Sequence, residues 1–223
     1  MTKHRRAKRP ARTELMRIVC IADTHGLHRQ ANVPNGDLLI HAGDITMNSK
    51  PDWMYRHFDI WLGELPHRFK IVIPGNHDWL LEDPARRGVI TNAILLVDSG
   101  VVVEGVKIWG SPTTPLYGGA FGRSNADDRK RLWAQIPEGL DILITHGPPF
   151  AILDHSKNAE RREGCPYLLE AVFRAFPRVH VFGHVHHGYG TLATSDTLFV
   201  NASLLTEDGS PSQKPVVIDY RIR

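Results

Sequence analysis

Five short apolar runs in this 223-residue chain each end in an Asp, Asn or His beside glycine. "RIVCIA" (17–22) leads into "DTHG", "DLLIHA" (37–42) into "GD", and "KIVIP" (70–74) into "GNHD". Further on, "DILI" leads into "THGPP" and "RVHVF" into "GHVH". Runs this short and this rich in Ile, Val and Leu are expected to be buried strands. Between the second and third, "PDWMYRHFDIWLGELP" has Trp53, His57, Ile60 and Trp61 at helical spacing, with Pro51 near its start. Such a β-x-β-α-β opening favours parallel strands. Open α/β sheets bind ligands at the carboxyl ends of their strands. The candidate site residues are therefore Asp23 and His25, Asp44, Asn76 and His77, His146, and His184 and His186.

The middle of the chain has another texture. "ILLVDSGVVVEGVKIWGSP" (94–112) reads as β-rich segments broken by Ser-Gly and Glu-Gly, which predicts an antiparallel meander or hairpins. "NADDRKRLWAQI" and "PYLLEAVFRAF", the latter with Pro166 in its first turn, are expected helices. "TLFVNAS" and "PVVIDYRI" are expected late strands. The fold class is α/β, in one domain over 13–223.

Charge is uneven along the chain. Residues 1–12, "MTKHRRAKRPAR", hold six Lys/Arg and no acid, which leaves 21 basic against 24 acidic residues in 13–223. The overall net charge of +3 thus belongs to a tail, expected to be a solvated, disordered extension. With no aromatic residue for base stacking, the tail is a weak case for nucleic-acid contact. No apolar run is long enough for a membrane span, and the basic start is not followed by the apolar stretch of a secretory signal. Two cysteines, Cys20 and Cys165, make no disulfide framework, so the expected compartment is the reducing cytoplasm.

Carboxylate, amide oxygen and imidazole suit manganese, iron or zinc, and no thiolate is in the set. In extended chain, residues i and i+2 share a side. On that reading Asp23 and His25 face one site together, as do His184 and His186, while His187 turns away as a bystander. Other polar residues have plainer readings. His41 is expected in the core or supporting a ligand. Asp78 reads equally as a supporting group or as the acid opening a helical segment. Trp53 and Trp61 are expected to face the core. Arg161 and Arg162 are expected to be solvated, Asn201 to support the site, and the loop 111–124 to shape a pocket. His28, His57, His67, His155 and His180 lack motif context.

The ordered set "DTHG–GD–GNHD–HG–GHVH" resembles the signature of the calcineurin-like metallophosphoesterases, over about Arg17 to Ile218. "IPGNHD", "GSPTTP", "THGPP", "VFGHVHHGYG" and "FVNAS" resemble its small metallophosphoesterase-domain-containing branch. The resemblance implies a four-layer αββα sandwich of two mixed β-sheets flanked by helices, built around two divalent ions. Manganese is expected first, with iron, zinc or magnesium as the other ions. By the resemblance, Asp23, His25 and His186 bind one ion, Asn76, His146 and His184 the other, and Asp44 bridges them. His77 lies beside the ions as a catalytic residue without binding them, oriented by Asp44. Some relatives carry Gly where this chain has His184, which leaves their second ion poorly held. "GDITMNS" departs from the "GDxVDRG" of the protein phosphatases and argues against that activity.

Two ions about 3.5–4 Å apart clamp the attacking and leaving oxygens of a phosphoryl transfer, and they acidify a bridging water for in-line attack. His77 would stabilise the developing charge or protonate the leaving oxygen. The expected activity is a phosphodiesterase acting on a small phosphorylated substrate such as a cyclic nucleotide. A nuclease or phosphomonoesterase is the alternative, and a non-catalytic metal-binding scaffold ranks last because every ligand position is filled.

Overall fold

The structure, a computed structural model, describes residues 15–115, 119–155 and 161–222. The expected basic tail, residues 1–12, lies outside them. Among the described residues, eleven strands form two mixed sheets. In the first, β1 (Leu15–Ile21), β2 (Leu38–Ala42), β3 (Phe69–Ile73) and β4 (Ile94–Leu95) run parallel, and β11 (Val216–Arg221) pairs antiparallel with β1. In the second, β5 (Ser99–Val103) and β6 (Val106–Ser111) form an antiparallel hairpin, and β7 (Ile142–Thr145), β8 (Val179–Phe182) and β10 (Leu198–Asn201) extend it in parallel. β9 (Gly190–Ala193) closes the edge antiparallel to β10.

Side-chain alternation at period two splits each strand between two cores. Ile18 and Cys20 of β1, Ile40 of β2 and Ile71 of β3 meet Ile108 of β6, Ile142 and Ile144 of β7, and Val181 of β8 between the sheets. Val19 and Ile21 turn the other way, with Leu39 and Val72, against helix α1 (Trp53–Glu64). On the far side of the second sheet, Leu143, Phe182 and Phe199 are covered by Trp133 of α2 (Ala126–Trp133) and Leu168 and Val172 of α3 (Pro166–Ala175). Helix, sheet, sheet, helix is the αββα layering expected from the resemblance. Each such large apolar side chain removed from water contributes about 1.5–3 kcal/mol.

Three local expectations need correcting. α1 buries Tyr55, Phe58, Trp61 and Leu62, whereas Trp53 is 60% exposed and Ile60 58%. Trp53 and Ile60, seven residues apart, share a second apolar strip, so periodicity alone admitted two faces. Segment 94–112 is not one meander: β4 joins the first sheet in parallel, and the chain crosses to the second through Asp98 in the left-handed region (φ 47°). The hairpin itself turns at Glu104–Gly105, both at positive φ (49° and 82°), the geometry that matches strand twist. The edge strand β9 lies in a segment to which the sequence reading assigned no element.

Candidate metal centre

All the motif residues sit at carboxyl ends of strands, in the loops after β1, β2, β3, β7 and β8. The loops are tight. Asp23, His25, Asp44 and His184 all lie in the left-handed region, at φ 54°, 42°, 56° and 68°. Non-glycine residues rarely stay there unless the surroundings hold them, and functional sites are where they collect. This corrects the extended-chain argument for pairing residues i and i+2. Asp23 and His25 converge through a turn, and His186 begins a short 3-10 turn (His186–Gly188). Glycine is required beside them. A Cβ on Gly75 would collide with the Asp44 carboxylate, and one on Gly183 with that of Asp23.

Two groups of side chains result. Asp23, His25 and His186 bring ligand atoms within 4.8 Å of one another, and so do Asp44, His146 and His184. Asp44 lies between them, its Oδ2 3.6 Å from His25 Nε2 and 3.3 Å from His146 Nε2. Asn76 Oδ1 is 2.9 Å from His146 Nε2. His77 stands at the rim, its side chain 39% exposed and its Nε2 4.0 Å from Asp44 Oδ2.

The imidazoles are oriented from behind. His25 Nδ1 donates to the Thr46 carbonyl at 3.2 Å, His146 Nδ1 to that of Ala42 at 2.9 Å, and His186 Nδ1 to that of Thr206 at 3.3 Å. His77 Nδ1 donates to the Met47 carbonyl. A carbonyl can only accept, so each Nδ1 carries the proton and each Nε2 is left facing the cleft, the arrangement seen in metal-binding histidines.

The carboxylates are treated in the same way. Asp44 Oδ1 accepts from the His77 backbone N–H at 2.9 Å, which leaves Oδ2 to the histidines. Asp23 Oδ2 accepts from Ser203 Oγ at 2.6 Å, the His184 N–H is shared between Oδ1 at 3.1 Å and Oδ2 at 2.9 Å, and Oδ1 faces His186.

These residues fit divalent ions. His146 Nε2 meets two oxygen acceptors while its Nδ1 is already donating, so only positive charge reconciles the three atoms. Burial disfavours the imidazolium, yet the Asp44 carboxylate pushes His146 up to about 9. Asp23 does the same for His186, again to about 9 against burial. Burial would raise the Asp23 carboxyl, but the hydrogen bond to His186 and the His146 charge hold it well below the usual range. The set draws cations into a buried site. His184 is lowered to about 4 by burial and by His146, which outweigh the opposing pull of Asp44 and Asp23.

Asp78 does precede a short 3-10 helix (Trp79–Glu82), but its side chain makes no capping bond there and takes the supporting role instead. It is fully buried and accepts from the backbone N–H groups of Ile45, Thr46 and Gly75 and from Tyr55 Oη, so it ties the Asp44 loop to the Asn76 loop. Burial and the nearby Asp44 raise it to about 6. His41 is buried, with its Nε2 3.0 Å from Thr24 Oγ1. Arg162 is not simply solvated: it pairs at 2.8 Å with the buried Asp154, which also accepts from Ala151 N at 2.8 Å. His187 is exposed and its backbone N–H donates to Glu207. In loop 111–124 the Ala120 N–H bonds the Asn76 carbonyl at 2.8 Å, and residues 116–118 lie outside those described. Sequence reasoning passed over Asp154 and Glu207, which carry no motif signal, and Ser203, which lies in the "FVNAS" motif beside Asn201; proximity in the fold reveals what they touch.

The profile of calcineurin-like phosphoesterases matches residues 16–188. The chain belongs to that family. It is 40% identical to human metallophosphoesterase domain-containing protein 1, over 91% of this chain and 70% of that protein. A UPF0046 protein of Caenorhabditis elegans is 35% identical over 92% of this chain and 75% of its own length. A solved crystal structure at 14% identity shares the fold, with a TM-score of 0.66 over 92% of this chain and 99% of that one. As expected of a phosphoesterase in this family, the metal-ligating residue types lie together in one cleft. Among the described residues, no helix is long and apolar enough to cross a membrane.

Proposed function

We propose that the chain is a metal-dependent phosphodiesterase acting on a small substrate, with cyclic nucleotides the favoured class. The observation that supports this best is the single carboxylate oxygen, Asp44 Oδ2, set between His25 Nε2 and His146 Nε2. Asp23, His25 and His186 would hold one ion, Asn76, His146 and His184 the second, and Asp44 both, with manganese the first candidate. A bound pair of divalent ions supplies a clamp on the attacking and leaving oxygens and an acidified water. His77 supplies the remaining proton chemistry: with Nδ1 tied to the Met47 carbonyl, Nε2 is the atom that meets the leaving oxygen.

The charge of the cleft favours a diester. The opening, about 450 Å³, is lined by Glu163 and Glu207 and, among the described residues, by no Lys or Arg. A phosphodiester brings one negative charge and a monoester close to two, so the rim carboxylates disfavour the monoester and, more strongly, a nucleic-acid polyanion. A reducing cytoplasm suits the two free, buried cysteines.

Purified protein loaded with Mn²⁺ is expected to hydrolyse bis(4-nitrophenyl) phosphate and a 3′,5′-cyclic nucleotide faster than 4-nitrophenyl phosphate. Inertness toward all three would sink the enzyme reading. A faster monoester reaction would overturn the diester preference, and processing of single-stranded DNA ahead of the small diesters would favour the nuclease.

A further inference from the structure

Building on the metal-dependent reading of the cleft, we infer that Ser203 and Asn201 are positioning residues that decide which Asp23 oxygen is presented, and so set the affinity of one metal position without touching the other. Ser203 follows β10, across the sheet junction from β1, and is fully buried with Asn201 and Asp23. Its Oγ lies 2.6 Å from Asp23 Oδ2 and 2.9 Å from Asn201 Oδ1. A hydroxyl has one proton. The shorter contact to a charged oxygen takes the larger share of it, as charge-assisted O–H···O bonds do.

Asn201 fixes the hydroxyl in turn. Its Nδ2 donates to the Val185 carbonyl at 2.8 Å, which sets the amide so that Oδ1 faces Ser203, where it also accepts the Ser203 N–H at 3.2 Å. The same amide thereby ties β10 to the segment between His184 and His186. The His184 N–H is shared between the two Asp23 oxygens, at 3.1 Å to Oδ1 and 2.9 Å to Oδ2, so Ser203 Oγ, on Oδ2 alone, is the group that tells them apart and leaves Oδ1 facing His186 Nε2 at 3.8 Å. Asp44 needs no such partner, because the His77 backbone N–H occupies its Oδ1. The two positions therefore differ in kind. One is oriented by backbone alone and the other by a side-chain relay that a single substitution can remove.

Calorimetric titration of the full chain with Mn²⁺ tests this. Wild type is expected to show two classes of site, one of them lost in Asp23→Asn. Ser203→Ala should weaken that class by about 10–100-fold, the usual cost of removing a group that orients a ligand, and leave the other class within about twofold. Ser203→Thr, which keeps the hydroxyl, should restore wild-type titration. Asn201→Ala should move the same class in the same direction. Unchanged titration in Ser203→Ala overturns the inference, and so does equal weakening of both classes with no rescue by Thr. The enzyme reading fails separately: a chain that binds two ions and shows the Ser203 effect but hydrolyses nothing refutes the activity alone. A wild-type chain that takes up no divalent ion overturns both.

Discussion

Beside α1, Arg29 Nε donates to His57 Nε2 at 3.0 Å and His57 Nδ1 donates to His28 Nε2 at 2.9 Å, whereas in the cleft the Nδ1 atoms of His25, His146 and His186 donate outward to backbone carbonyls. Both regions crowd imidazoles together. In the first, a neighbour's N–H consumes each acceptor lone pair, and Arg29 is itself clamped by Glu64 through two contacts of 2.8 Å. In the second, the Nε2 lone pairs converge on carboxylate oxygens with no donor between them. The charge states part in the same way. Burial, the His57 charge and Arg29 lower His28 to about 4, whereas Asp44 and Asp23 carry His146 and His186 up to about 9 against burial. A histidine cluster is thus a cation site only where something other than another imidazole uses up Nδ1 and a carboxylate supplies the charge.

The sharpest way to break the contrast is to remove the carboxylate between the two groups. Asp44→Asn keeps the shape and discards the charge facing His25 and His146. Hydrolysis of bis(4-nitrophenyl) phosphate is expected to fall by more than about 10³-fold, exceeding the loss from one oriented donor, because both groups lose their shared anion. Bound Mn²⁺, measured by elemental analysis after desalting, should fall with it. Full metal content with full activity would mean that the carboxylate is not shared.

A smaller effect separates holding ions from moving protons. His77 bonds outward like the cleft histidines but stands at the rim, further from Asp44 than His25 or His146. His77→Asn is expected to lower kcat by about 10²–10⁴-fold, the range for a lost acid–base group, with metal content unchanged. A diester with a good leaving group, such as 4-nitrophenolate, should suffer less than one with an alkoxide leaving group. Equal losses on both would remove His77 as the proton donor.

The contrast also shows what the sequence can carry. His25 and His28 are three residues apart, and nothing in their residue types separates them. Motif order along the chain did so, because only His25 belongs to a set of glycine-flanked polar residues that follow strands. Strand placement was legible for a related reason: buried parallel strands need continuous apolar runs, and polar residues can appear only where they end. What could not be read was geometry that depends on distant partners. The left-handed conformations of Asp23 and His184 are held by contacts across the sheet junction. The docking face of α1 is chosen by Val19, Leu39 and Val72 rather than by its own periodicity. Ser203 acquires its role from Asp23, 180 positions earlier.

The smallest effect tests the half of the comparison beside α1. His28 is buried against Phe58 and Trp61, and burial lowers it to about 4. An ordinary histidine in the unfolded chain titrates near 6.5. Between about pH 6.5 and 4 the unfolded state therefore binds the extra proton, so folding stability rises with pH across that window and is lost as pH falls through it. The contribution of one group is at most about 1.4 kcal/mol per pH unit. His28→Phe removes the titration and keeps an aromatic ring among its neighbours. Urea unfolding at pH 7 should change by no more than about 1–2 kcal/mol, since the His57 hydrogen bond is lost while the ring packing stays. Between pH 6.5 and 4 the variant should lose less stability than wild type. Its Mn²⁺-dependent hydrolysis at neutral pH should match wild type, because none of its ring contacts reaches the cleft ligands. An unaltered acid slope would show that His28 takes up its proton alike in the folded and unfolded states. A loss of bound metal would show that the two histidine regions are coupled, and the distinction drawn between them would then fail.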